Sequence, residues 1–174
     1  MAWRLAIVVA RVLKRDVIVA MHIHSESTES GFQALADDTC PRDFSLMAKV
    51  FPNLSVLVVD DESLIRWSLA QTLMEQGHVV REAADGRGAM EVLQQSMVPF
   101  DVIMLDYRLP DTTALQLLEP IRALSPESRV VLMTAYGTPE ISAEALRLGA
   151  VCVVHKPVDM HDVGDLVARA YASS

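Results

Sequence analysis

From Leu54 onward, short runs of Val, Ile and Leu alternate with longer segments whose apolar residues recur every three or four positions. The runs fall near 54–59, 79–83, 101–105, 129–133 and 151–154, lengths that suit strands better than helices. The segments near 63–76, 86–96, 112–124, 139–148 and 159–172 carry the helical period. Five strands alternating with five helices predict an α/β fold, a doubly wound five-stranded parallel sheet flanked by five helices. The punctuation agrees. Gly77 can close the first helix as a left-handed C′ residue. Thr138, Pro139 and Glu140 offer an N-cap, a first-turn proline and a first-turn acid for the fourth. Gly86 and Gly88 read as a helix-start turn and not as a nucleotide loop, which would need a third glycine. Pro120 conflicts with the third helix, because its ring removes a hydrogen bond and is expected to kink the backbone.

Residues 1–53 lack this regularity. Residues 1–24 fit a helix or a strand, and the pattern does not decide between them. Residues 25–53, rich in Ser, Asp and Glu, read as linker. The expected division is a poorly ordered N-terminal extension over 1–53, with Met47 an alternative start, and one domain over 54–174. A basic amphipathic docking helix is the competing reading of the extension.

Charge narrows the function classes. The net charge is −8 over 174 residues. Residues 1–53 hold six basic and six acidic side chains, and 54–174 hold nine and seventeen, so the domain carries the whole deficit. An acidic domain without a basic patch argues against direct nucleic-acid binding. The two cysteines, Cys40 and Cys152, give neither a disulfide framework nor a metal-ligand spacing. Cys152 reads as a small core hydrophobe. No uncharged run reaches the ~20 residues that span a bilayer, and a cytoplasmic location is expected.

The chemistry gathers at strand ends. The first strand ends in Asp60 and Asp61, the third in Asp106, the fourth in Thr134, and the fifth runs through His155 to Lys156 and Pro157. Right-handed crossovers bring the C-terminal ends of parallel strands to one edge, where open α/β sheets place ligands. Three acids, a hydroxyl and an ammonium at one point make Asp106 a candidate phosphoryl acceptor, since a carboxylate can attack phosphorus to give an acyl phosphate. Each residue has a plainer role. Asp60 and Asp61 can cap the helix that begins near Ser63, Thr134 can sit in a turn, and Asp106 can cap a loop. His22 and His24 have metal-like spacing without further ligands, and His155 reads as a surface residue.

With these five positions in order, residues 54–174 resemble a response-regulator receiver domain of bacterial two-component signalling, the chemotaxis-regulator-like, flavodoxin-like fold. The stretch 132–140 is similar to receivers of the nitrogen-regulation class. The resemblance implies a phospho-accepting switch, and not an enzyme, that takes a phosphoryl group from a histidine kinase or phosphotransfer protein onto Asp106. It implies Mg²⁺ held by Asp61, Asp106 and the main-chain carbonyl of Arg108, with Asp60 acting through water. Oxygen ligands suit that ion. It also relieves three crowded carboxylates, whose repulsion at ~4 Å is about 4 kcal/mol per contact at an effective dielectric near 20. Thr134, the main-chain N–H of Ala135 and Lys156 are then the phosphoryl-binding set. Arg108 and Tyr136 modulate the lifetime of the acyl phosphate, and the Lys156–Pro157 peptide is cis. The implied partners are a downstream protein or an output domain of the same protein, or a second copy through the fourth and fifth helices.

Two positions depart from the family pattern. Val153 occupies the place of an aromatic whose inward turn reports the threonine's movement, so that half of the switch is degenerate here. Ala114 replaces a glycine at the start of the third helix. A receiver-like docking scaffold that works without phosphorylation is therefore the alternative function. A dehalogenase-like phosphatase is disfavoured, because Arg108 stands where its second acid belongs.

Overall fold

The computed structural model describes residues 6–12, 15–21 and 53–173. The chain divides into two units, 1–50 and 51–174, each described by itself. In the first, β1 (Ala6–Val12) and β2 (Arg15–Met21) pair antiparallel, from Ala6 opposite Met21 to Val12 opposite Arg15. The composition left helix and strand equal; the β-branched residues Ile7, Val8, Val9, Val17, Ile18 and Val19 favour the strand. His22, His24 and Cys40 lie outside the described residues.

The second unit alternates as its hydrophobic pattern predicts. Its elements are β3 (Ser55–Val59), α1 (Ser63–Glu75), β4 (Val79–Ala83), α2 (Gly86–Gln95), β5 (Val102–Asp106), α3 (Ala114–Leu124), β6 (Arg129–Thr134), α4 (Pro139–Arg147), β7 (Ala150–His155) and α5 (Val163–Ala172). All five strands run parallel, in the order β4-β3-β5-β6-β7.

Strand alternation divides the core between the two faces. Leu57, Val59, Ile103, Leu105, Val130 and Leu132 pack with Ala89 and Leu93 of α2, Leu118 and Ile121 of α3, and Ala145 of α4. Val56, Val58, Val102, Met104, Val131 and Met133 pack with Leu69 and Leu73 of α1 and Val163 and Val167 of α5. Each fully buried aliphatic side chain contributes roughly 1.5–3 kcal/mol. This burial holds helices as short as the nine-residue α4, which would be marginal alone.

The caps explain the boundaries. Gly77, at φ 91°, ends α1 in a Schellman motif: its N–H donates to the Met74 carbonyl, and the His78 N–H to that of Leu73. The Thr138 hydroxyl accepts from the Ile141 N–H, with Pro139 at the first helical position. The Gln116 side chain accepts from the Thr113 N–H, which sets the start of α3. Ala114 follows, buried, donating its N–H to the Tyr107 carbonyl. Helix α3 runs on through Pro120. That proline is exposed, so water can satisfy the Gln116 carbonyl it leaves unbonded. Helix α5 starts later than its apolar period suggests, because the Asp159 carboxylate accepts from the His161 N–H and holds a turn before Val163.

One irregularity lies between β6 and β7. Val130 pairs with Ala150 but Val131 with Cys152, which leaves Val151 as the extra residue of a bulge. Val151 and Cys152 consequently pack on the same cluster, against the usual alternation.

Candidate functional site at the C-terminal sheet edge

Backbone hydrogen bonds carry the ladder past the strands into the site. The Asp60 N–H donates to the Ala83 carbonyl at 3.1 Å, that of Tyr107 to Met133 at 2.7 Å, and that of Lys156 to Thr134 at 2.9 Å. The strand-end residues are thus fixed by the sheet itself. Asp60, Asp106 and Thr134 are buried and Asp61 is exposed. The Lys156–Pro157 peptide is cis, as expected.

The structure brings all five strand-end residues together. Carboxylate oxygens of Asp60, Asp61 and Asp106 lie within 4.8 Å of one another. The Lys156 ammonium sits among them, 2.8 Å from Asp60 Oδ2 and 2.9 Å from Asp106 Oδ2. A pairing with Asp106 alone would have left Asp60 without a counter-charge. The other Asp60 oxygen accepts from the Glu62 N–H at 2.9 Å. Asp60 therefore turns the chain into α1 as well, while Glu62 is the N-cap residue and makes no side-chain cap.

Asp61, Asp106, Arg108, Thr134, Ala135, Tyr136 and Lys156 line a cleft of about 290 Å³ with Glu62 and Tyr107. The Arg108 guanidinium lies 5.5 Å from the centre of the Tyr136 ring. The Thr134 hydroxyl accepts from the Tyr136 N–H at 3.2 Å. Val153 is half-buried on β7 and packs on the cluster that also takes in Ile141 and Leu148. His155 is exposed.

Electrostatics follow from burial and from the shared ammonium. Burial pushes the Asp106 carboxyl above the ordinary carboxylate range; Lys156 pulls it back by hydrogen bond and charge, and the Asp60 charge pushes it up again. For Lys156, burial works against the charged form, but its close contacts with the Asp60 and Asp106 carboxylates and their negative charges together more than offset it and raise the ammonium's pKa.

Sequence reasoning missed three contributors. Glu62 lines the cleft and approaches Lys156 at 3.7 Å; the run of three acids at 60–62 was its only signal. Arg66 donates to the Asp60 main-chain carbonyl at 2.6 Å and pairs with Glu82 at 3.4 Å. Asp111 accepts from the N–H groups of Gly86 and Arg87, both at 2.9 Å. Nothing in the hydrophobic pattern points to those long-range bonds.

Comparison with known proteins decides the family, since the model of the response regulator receiver domain matches residues 56–168. This chain belongs to the response-regulator receiver family. The receiver is 39% identical over 114 residues to the response regulator protein PilR of Pseudomonas aeruginosa, covering 66% of this chain and 25% of PilR. It is 29% identical over 117 residues to the sporulation initiation phosphotransferase F of Bacillus subtilis, covering 67% of this chain and 93% of that protein. A CheY-like receiver domain protein from Methanospirillum hungatei superposes with a TM-score of 0.65 at 27% identity, over 70% of this chain and 95% of its own. The chain spans about a quarter of PilR's length. The β4-β3-β5-β6-β7 order is the flavodoxin-like order of such receivers.

Receiver domains of two-component response regulators accept phosphate, work with histidine kinases and output domains, and generally bind Mg²⁺ at an acidic pocket. The cluster of Asp60, Asp61 and Asp106 is such a pocket in its donor chemistry, all oxygen and strongly anionic. Among the described residues, no helix is long and apolar enough to cross a membrane.

Proposed function

We propose that this receiver takes a phosphoryl group onto Asp106 from a histidine kinase or phosphotransfer protein and switches protein–protein contacts in response. One observation carries the reading: three carboxylates, an ammonium and a hydroxyl converge on one cleft at the sheet edge. An Asp106 carboxylate oxygen attacks phosphorus, the bond from phosphorus to the donor nitrogen breaks, and the donor imidazole keeps its electron pair and takes up a proton. Such a transfer asks the protein mainly for positioning and charge stabilisation. Lys156, the Thr134 hydroxyl and the Ala135 N–H supply donors to the phosphoryl oxygens. Asp61, Asp106 and the Arg108 carbonyl would hold Mg²⁺, with Asp60 reaching it through water. The ion's contribution is to neutralise charge on the acids and on the phosphoryl oxygens. A downstream protein, an output domain or a second copy docking on α4 and α5 would read the change.

Val153 favours a second reading, a docking scaffold that works without phosphorylation. Intact-mass analysis after incubation with Mg²⁺ and acetyl phosphate separates the two. Wild type should gain one phosphoryl group and Asp106→Asn none. An unmodified wild type would leave the scaffold.

A further inference from the structure

The loop from β5 to α3 holds Arg108 near one end, and a different helix fastens it near the other. Asp111 reaches across to the start of α2, where its two carboxylate oxygens accept the N–H groups of Gly86 and Arg87, each at 2.9 Å. Charge-assisted bonds of this kind at a helix N-terminus are stronger than neutral ones. Helix α2 already has its own cap, since Asp85 accepts from the Gly88 N–H at 2.6 Å. Asp111 is therefore a second, long-range acceptor, and its reach ties two loops together.

Gly86 makes the approach feasible. A Cβ there would lie 2.4 Å from the Thr112 methyl and 3.2 Å from Asp111 Oδ1. The loop is also closed on itself. The Leu109 N–H donates to the Thr112 carbonyl at 3.1 Å, Arg108 forms an antiparallel bridge with Thr113, and the Ala114 N–H donates to the Tyr107 carbonyl at 3.0 Å. A loop that is stiff within itself moves as one piece, so anchoring Asp111 also fixes Arg108.

We propose that Asp111 is a positioning residue: it pins the 107–113 loop to the start of α2 and thereby presets the main-chain carbonyl of Arg108 for a divalent cation. The inference rests on reading the acid cluster as a Mg²⁺ site. Outer-shell partners of this kind hold a ligand in place before the ion arrives, and their loss characteristically weakens metal affinity.

Calorimetric Mg²⁺ titration of the full chain tests it, with thermal midpoints of every variant recorded in EDTA. Asp111→Ala should weaken Mg²⁺ binding by roughly tenfold, the lower end for outer-shell losses. Asp111→Asn, which keeps one acceptor oxygen, should fall between. Gly86→Ala, which forces the loop away from α2 while leaving Asp111 in the sequence, should weaken binding as well. At saturating Mg²⁺ the acetyl phosphate reaction should recover its wild-type rate in all three. A merely structural role would lower the midpoints and leave the dissociation constant unchanged. A folded Asp111→Ala that binds Mg²⁺ as wild type does overturns the inference. Should that variant not fold, wild-type affinity in Asp111→Asn and Gly86→Ala overturns it equally. A wild type that binds no Mg²⁺ overturns the metal reading, and this inference with it.

Discussion

Replacing Lys156 with methionine keeps the unbranched stem of the side chain and removes the ammonium between Asp60 and Asp106. Its contacts of 2.8 and 2.9 Å each amount to about 6 kcal/mol of gross attraction at an effective dielectric near 20. Without it, Asp60 and Asp106 oxygens within 4.8 Å of each other repel by about 3.5 kcal/mol on the same scale. Most of the gross attraction offsets the cost of burying the charges, and breaking a buried ion pair from one side typically costs about 3–5 kcal/mol. For a domain of this size that corresponds to a fall in melting temperature on the order of 10–20 °C in EDTA. A divalent cation takes over the neutralising role, so millimolar Mg²⁺ should raise the melting temperature of Lys156→Met more than that of wild type. The pH dependence has a definite sign. Losing Lys156 lifts the already raised Asp106 carboxyl further. A raised carboxyl favours the fold below its unfolded value of about 3.9, and that contribution is lost as pH rises through the folded value. The deficit of the variant should therefore shrink on acidification from neutrality. Calorimetry in EDTA and in Mg²⁺ reads all three effects. A variant that melts with wild type in EDTA, or gains no more from Mg²⁺, would refute the account of Lys156 as the counter-ion of the acid cluster.

Two further outcomes follow from the same geometry. Arg108 and Tyr136, guanidinium 5.5 Å from ring centre, both line the cleft that holds Asp106; if they shield the acyl phosphate, Arg108→Ala and Tyr136→Ala should each shorten its life several-fold, and unchanged decay in both would sink the shielding idea. His78 is buried with Nε2 unpartnered and its pKa lowered by burial, while Nδ1 accepts from the Leu54 N–H at 3.2 Å. Its neutral form suits the fold, so stability should hold above about pH 6.5 and fall below it by up to ~1.4 kcal/mol per pH unit, as the unfolded chain takes up the proton first. His78→Gln keeps an acceptor and should flatten that slope between about pH 7.5 and 5.5, measured by thermal midpoint; an unaltered slope would assign the titration elsewhere.

The sheet was legible because parallel strands buried on both faces read as continuous apolar runs, and β3, β5 and β6 are buried almost throughout. The edge strand β4, with Arg81 and Glu82 exposed, gave a weaker apolar run, carried mainly by Val79 and Val80. Helix starts were harder. Side-chain turns at Thr113 and Asp159 set where α3 and α5 begin, and hydrophobic period carries no record of them. The five site residues were legible because each ends a strand, and topology alone sends strand ends to one edge. Their wiring was not. Lys156 shared between two acids and Asp111 on α2 are contacts distant in sequence, and Arg66 reaches the Asp60 carbonyl across the turn into α1; all are fixed only once the helices have packed. The strand character of residues 6–12 and 15–21 was equally undecided, because apolar runs of that length suit either conformation.

The bulge at Val151 sets the reach of Lys156. Were Val151 to pair regularly opposite Val131, Thr134 would stand opposite Val154 instead of His155, and Lys156 would begin two places beyond the hydroxyl, about 3.3 Å farther along the strand. Residues 152–155 would also exchange faces, turning Val153 away from Ile141 and Leu148 and towards the α1 and α5 side. An irregularity at the foot of the sheet thus acts as a spacer for its head: it trims the height at which the ammonium enters the acid cluster, one full sheet-length from where the extra residue was inserted.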